Sequence, residues 1–174
     1  MPTPLERNAH VFPYCPRCRA AMGRAHEGGE ERPRCSECGF VQYLNPAPGA
    51  GVILLRGREV CLVRRKFAPK VGQWSLPTGF MEWDEDVTQT AIREAREETG
   101  LAVELDGLYA VESGILPPDI PVLVVFFRAR ETGGVLQAGD DAAEVAFFPV
   151  DALPRPVAFA AHRRVLARLA KEMK

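Results

Sequence analysis

Little in this sequence speaks for a membrane, an export route or a nucleic-acid partner. No apolar run approaches the ~20 residues that a helix needs to cross a bilayer, so no transmembrane span is expected. The start, Met1-Pro2-Thr3-Pro4-Leu5-Glu6-Arg7, has no apolar h-region and does not read as a secretory signal, which sets the expectation of a cytoplasmic protein. A formal net charge of −1 gives no global attraction to nucleic acid or to an anionic membrane. Internal repeats and low-complexity tracts are absent. Histidine is scarce: His10 falls in the tail, His26 in a Gly-rich tip and His162 in the last helix. All three read as surface residues, and no Ser-His-Asp arrangement can be built from them.

Apolar residues make up 47% of 174, which is enough to bury a real core in one domain, with or without a small module beside it. Cysteine is where the sequence becomes specific. Cys15-Pro-Arg-Cys18 and Cys35-Ser-Glu-Cys38 are two C-x2-C knuckles, with Arg19 to Arg34 between them. That spacing reads as a four-thiolate Zn²⁺ site of structural type, since four cysteines leave no position for water. Two disulfides are the alternative, and a cytoplasmic chain argues against them. A segment of about thirty residues cannot bury enough apolar surface to fold unaided. The fifth cysteine, Cys61, sits among Val60, Leu62 and Val63 and reads as a small buried hydrophobe.

The chain divides into a loose tail over residues 1–10, a ribbon over 11–44 and a main domain over 45–174. The ribbon should end on a strand, Phe40 to Tyr43, followed by a stiff connector, Asn45-Pro46-Ala47-Pro48-Gly49. Gly51–Leu55 and Val60–Val63 predict a hairpin. A short strand is expected over Gly72–Pro77, with Pro77-Thr78-Gly79 ending it as a loop. Further strands are expected at Val103–Leu105, Gly107–Val111, Val122–Phe127 and Glu144–Pro149, with a Gly-rich turn at Thr132-Gly133-Gly134. Val165, Leu166, Leu169 and Met173 give the final segment the period of an amphipathic helix.

The stretch from Asp86 to Gly100 predicts another helix. Asp86 is its N-cap, Gln89 the capping-box partner, and Gly100 suits the left-handed position that ends it. Ile92 and Ala95 can face the core. Glu94, Glu97 and Glu98 then stand at i, i+3 and i+4 on one face, with Arg93 one turn from Glu97. Like charges at that spacing weaken a helix by a few tenths of a kcal/mol. Such a cluster is easier to explain if it holds a hard cation such as Mg²⁺.

Gly79-x5-Glu85-x7-Arg93-Glu94-Ala95-x-Glu97-Glu98-x-Gly100-Leu101 resembles the Nudix box at every position. Coincidence at average residue usage would arise on the order of once in 10⁸ starting positions, so a plain solvated acidic helix is the poorer account. The resemblance implies an α/β/α sandwich with a mixed sheet, preceded by the small zinc ribbon. It implies that Glu94 and Glu98 are ligands of a catalytic Mg²⁺ or Mn²⁺, that Glu97 is a third or water-mediated ligand, and that Gly79 offers its carbonyl. Glu85 and Arg93 would orient the cluster. Asp141 or Glu144 could add a ligand or, like Glu97, take the proton of the attacking water; each reads equally as a solvated turn residue. Arg64 and Arg65 could meet a diphosphate, though solvated strand-end charge is the simpler account. Related enzymes are often homodimers, an expectation by analogy.

The reaction implied is metal-dependent hydrolysis of a nucleoside diphosphate derivative with release of a monophosphate. Gly72-x-Trp74-x-Leu76-Pro77 resembles the family's approach to its box. The ribbon, Tyr43-x-Asn45-Pro46, Leu153-Pro154 and Ala158-Phe159 resemble ribbon-bearing ADP-ribose and FAD pyrophosphatases. NADH pyrophosphatases are the alternative, but the S-Q-P-W-P-F-P-x-S array of that subgroup is missing, and Glu112 to Pro118 stands in its place. Thr78 also departs from the usual small residue before the box. Tyr109, Phe80 or Trp83 could stack a flat ring. The rival from another class is a nucleotide sensor or nucleic-acid binder built on the ribbon. Five arginines and four glutamates between Cys15 and Cys38, a balance of +1, make a poor phosphate-binding stripe.

Overall fold

The computed structural model describes residues 12–117 and 119–174, so the expected tail, with His10, lies outside the described residues. The chain separates into two compact units, with the boundary between Asn45 and Pro46.

In the first unit, β1 (Met22–Glu27) and β2 (Glu30–Cys35) form an antiparallel hairpin that closes on Gly28 and Gly29. Both glycines have positive φ, 62° and 87°, as a tight two-residue hairpin turn requires. The expected strand Phe40–Tyr43 does not form; only Arg34 and Val41 bridge. Proline has no N–H to extend a ladder, and Pro33 meets the returning chain only through its carbonyl, which accepts from the Gln42 N–H at 2.9 Å.

Among the described residues, the second unit has one seven-stranded sheet and two helices. Its strands are β3 (Ala47–Arg56), β4 (Glu59–Arg65), β5 (Trp74–Ser75), β6 (Thr78–Phe80), β7 (Leu101–Leu116), β8 (Ile120–Gly134) and β9 (Ala142–Pro149). The helices are α1 (Val87–Thr99) and α2 (Ala160–Glu172). The order runs β5-β4-β3-β8-β7, with β6 added on β3 and β9 on β4. Only β3 and β8 pair in parallel, so the sheet is mixed.

Alternation along the strands divides the core in two. Ile53, Val60, Leu62, Val122, Val124 and Phe126 pack with Val165, Leu166 and Leu169 of α2. Their neighbours Val52, Leu54, Cys61, Phe127 and Ala129 face the other way, onto Ala91 and Ala95 of α1. A sheet covered on both faces explains why β3 is apolar without interruption from Ala50 to Leu54. The result is the α/β/α sandwich. No helix among the described residues is long and apolar enough to cross a membrane.

Several local expectations change. The connector becomes strand at Ala47, because β3 finds β8 as a partner from there on. Thr78–Phe80 is strand rather than loop: β4 pairs only with Leu55 and Arg56 of β3, which leaves Gly49–Gly51 free to pair with β6. The two strands expected after the box merge into β7, which absorbs Gly107 (φ 131°) at one of its bulges. The expected turn at Thr132–Gly134 is the end of β8, paired with Leu101 to Val103.

Candidate active site

Helix α1 begins as its sequence prescribes. The Asp86 carboxylate accepts from the Thr88 and Gln89 N–H groups, and Gln89 returns a bond to the Asp86 N–H at 2.8 Å. Gly100 ends the helix with φ 73°. The buried residues are Thr90, Ala91, Glu94, Ala95, Glu98 and Thr99, with Ala91, Glu94, Ala95 and Glu98 at i, i+3, i+4 and i+7 along the middle of that stripe. Ile92 lies off that stripe and is exposed, contrary to expectation. Two of the six buried residues of the helix are therefore carboxylates.

Those carboxylates meet β6. Glu98 is 3% exposed and its Oε2 accepts from the Thr78 N–H at 2.8 Å. Glu94 is 8% exposed and packs against Gly79, where any side chain would collide with its carboxyl group. Gly51 has no room for a side chain against Thr78. The Gly79 carbonyl in turn stands 2.7 Å from where a Cβ on Gly49 would be. Three glycines thus let two strands and one helix approach closely at one point.

Arg93 organises the exposed side of this point. Its guanidinium grips both oxygens of Glu85, donates to Glu94 Oε1 at 2.6 Å and Glu97 Oε2 at 2.8 Å, and reaches the Phe80 carbonyl at 3.0 Å. Thr90 adds a hydroxyl bond to Glu85 at 2.8 Å. Hydrogen bonding from Arg93 holds the Glu85 carboxyl down at about 2. Glu94 and Glu98 are shifted upward, because burial penalises their charge more than Arg93 or the Thr78 N–H relieves it. The negative charge of Asp141 adds to that upward push on both.

The structure separates the two loop acids. Asp141 faces Glu98 and Glu94, whereas Glu144 sits opposite Arg64 in the ladder and pairs with it at 2.8 Å. One guanidinium thus serves a group of acids that includes two buried ones. An all-oxygen donor set short of positive charge fits a hard divalent cation.

Beside the carboxylates lies a mostly apolar cavity of about 320 Å³. Gly79, Thr78 and Asp141 border it, and Phe80, Val122, Val124, Phe159, His162 and Arg65 form much of the rest. Arg65 donates to the Pro69 carbonyl at 2.8 Å and lies over the Phe159 ring. Of the aromatic residues expected near a ligand, Phe80 lines the cavity, Trp83 is fully exposed, and Tyr109 is buried with Arg128 and Arg168 over its ring.

His162 overturns the expectation of a surface residue: it is 4% exposed. The reason is visible in the helix, where His162 stands three, four and seven residues before Val165, Leu166 and Leu169 on the same apolar stripe. That spacing was the available signal. Burial pushes its pKa down to about 3, so it is neutral. Cys61 is buried as expected, its thiol pushed up to about 12 by desolvation, and it is inert.

In the first unit the four knuckle cysteines are free thiols whose sulfurs all lie within 4.8 Å of one another. Cys15 and Cys38 are 3.6 Å apart, and Cys18 and Cys35 are 3.4 Å apart. A tetrahedron with Zn–S bonds of ~2.3 Å has S···S edges of ~3.8 Å, so the group is of the right size for a metal. The knuckles repeat one turn: Arg19 (φ 66°) returns its N–H to the Cys15 carbonyl, and Gly39 (φ 73°) to that of Cys35.

This geometry has known counterparts. The chain belongs to the NUDIX domain family, whose model matches residues 45–169. An ADP-ribose pyrophosphatase of Methanocaldococcus jannaschii is 38% identical over 116 residues, which are 65% of this chain and 68% of that protein. The NAD-capped RNA hydrolase NudC of Pseudomonas aeruginosa is 32% identical over 142 residues, 81% of this chain; the chain spans about half, 49%, of that relative's length. Among solved structures, a NUDIX hydrolase from Nitrosomonas europaea superposes with a TM-score of 0.81 at 32% identity, covering 92% of each chain.

Proposed function

We propose that this protein hydrolyses the diphosphate bond of an ADP-linked small molecule, ADP-ribose or FAD, and releases AMP. The observation that carries this reading is the pair of buried carboxylates, Glu94 and Glu98, packed against Gly79 with too little positive charge around them. Glu94, Glu97, Glu98 and the Gly79 carbonyl would hold Mg²⁺ or Mn²⁺. Bound there, the cation would neutralise the diphosphate oxygens and lower the pKa of the attacking water.

The remaining roles belong to the chain. Arg93 fixes Glu85, Glu94 and Glu97 relative to one another and to β6. Asp141 or Glu97 would take a proton from water; the nearness of Asp141 to Glu98 and the pairing of Glu144 with Arg64 support Asp141 over Glu144. The ADP-ribose pyrophosphatase relative supports the substrate class, and the missing aromatic array argues against NADH.

We assign residues 45–174 as the catalytic domain and 11–44 as a ribbon that holds one structural Zn²⁺ through Cys15, Cys18, Cys35 and Cys38. NAD-linked diphosphates are the second reading, favoured by the likeness to NudC. Monophosphate release from ADP-ribose, FAD and NADH, each with Mg²⁺, decides between them. ADP-ribose should yield AMP and ribose 5-phosphate. If NADH is cleaved with at least tenfold higher kcat/KM, about 1.4 kcal/mol in transition-state binding, the ADP-ribose/FAD assignment is wrong.

A further inference from the structure

We infer that the 320 Å³ cavity is the adenine pocket of the substrate and that His162 donates to the ring through its Nε2–H. The inference rests on the adenine-nucleotide reading above and specifies which side chain reads the base. The argument begins with the tautomer. The Leu76 N–H donates to His162 Nδ1 at 3.1 Å, so Nδ1 carries no proton. A neutral imidazole then has its proton on Nε2, which is a donor only. That second nitrogen has no protein hydrogen-bond partner among the described residues, although the side chain is buried. The ring also packs against two phenylalanines: Phe126 stands perpendicular to it with centroids 5.2 Å apart, and Phe159 is tilted against it at 5.2 Å. The cavity borders the residue.

The same wall offers further donors. Helix α2 opens there at Ala160 and Ala161, and no side chain caps its first turn. A ligand that fits must therefore present acceptors to a mostly apolar slot. A heteroaromatic base does so through its ring nitrogens, whereas a free sugar would place several hydroxyl groups against Phe80, Val122 and Val124. The volume is at the low end of ligand clefts, about 300–1,000 Å³, and suits one moiety rather than a whole dinucleotide. Its border at Gly79 and Asp141 leaves the attached diphosphate beside the carboxylates.

Two substitutions separate the roles of the two nitrogens. His162→Asn keeps an acceptor where Nδ1 stands and removes the Nε2 donor; His162→Gln does the reverse. Binding is read by calorimetry on the full chain in EDTA, with AMP and ribose 5-phosphate as probes, so that no turnover is needed. We expect H162N to weaken AMP about tenfold and leave ribose 5-phosphate unchanged, while H162Q binds AMP nearly as wild type does at a lower Tm. AMP analogues with N1, N3 or N7 replaced by C–H test the wild type directly. One of them should lose about tenfold in affinity on wild type and no more on H162N. Unchanged AMP affinity in H162N, an equal loss for both probes, or three deaza analogues that all bind like AMP would overturn the inference. AMP binding of this pattern without hydrolysis of any diphosphate would instead overturn the proposed reaction and leave the pocket standing.

Discussion

Gly79→Ala is the smallest change that should separate catalysis from folding. Gly79 has an ordinary strand backbone, outside the positive-φ set, so alanine adds no backbone strain. The added Cβ would stand within 3.0 Å of Glu94 Oε1, Cδ and Oε2, where ordinary contact begins at 3.4 Å. Either β6 or the Glu94 carboxylate must give way. The carboxylate is the softer of the two, but it is buried and tied to Arg93, so its withdrawal carries the Arg93 contacts with it. A shift on the order of 1 Å in a catalytic group costs about 10²-fold in rate. That corresponds to about 2.7 kcal/mol of transition-state stabilisation. The assay is AMP release from ADP-ribose over a Mg²⁺ titration, with circular dichroism to show that the fold is kept. A folded G79A enzyme within threefold of wild type at saturating Mg²⁺ would refute the role given to the Glu94–Gly79 contact.

Further outcomes follow from the same geometry. Elemental analysis should find about one zinc per chain, and a reduced preparation without zinc would end the ribbon assignment. Glu85 has its folded-state pKa depressed to about 2, so its contribution to stability is present above the unfolded carboxylate value, near 4.3, and is lost as pH falls through about 2. Arg93→Met should therefore be less stable than wild type at pH 7 and show a flatter acid limb between about pH 4.3 and 2 in thermal melts. Glu98 runs the opposite way: its raised folded-state pKa means the native state binds the proton more tightly, so metal-free stability falls as pH rises above the unfolded value. Glu98→Gln should thus melt higher than wild type in EDTA at pH 7 and gain less from added Mg²⁺.

Helix α1 was legible to the residue, because its caps and the box spacing are local facts: Asp86, Gln89 and Gly100 act where the sequence puts them. In the ribbon the Gly-rich tip at Gly28 and Gly29 was legible, but the two strands it joins, β1 and β2, were not. What escaped depends on distant partners. Thr78–Phe80 reads as a loop until β3 is known to have an open edge there, and the glycine pair before Val135 reads as a turn until β7 pairs with it. Ile92 reads as core because it is apolar, yet Glu94 and Glu98 take the inward positions. His162 reads as a surface residue by type, although its spacing from Val165, Leu166 and Leu169 places it on the buried stripe. In the site, the carboxylates came from the sequence, while the preference for Asp141 over Glu144 needed the β4–β9 register.

The central claim is that the buried carboxylate pair on α1 carries a divalent-metal-dependent diphosphate hydrolysis. Glu94→Gln and Glu98→Gln preserve size and remove one charge each, and AMP release from ADP-ribose with and without Mg²⁺ reads the consequence directly. The account predicts metal-dependent turnover in wild type and a loss of at least about two orders of magnitude in both variants, with folding retained. Near-normal rates in both folded variants, or wild-type turnover that persists in EDTA, would contradict it.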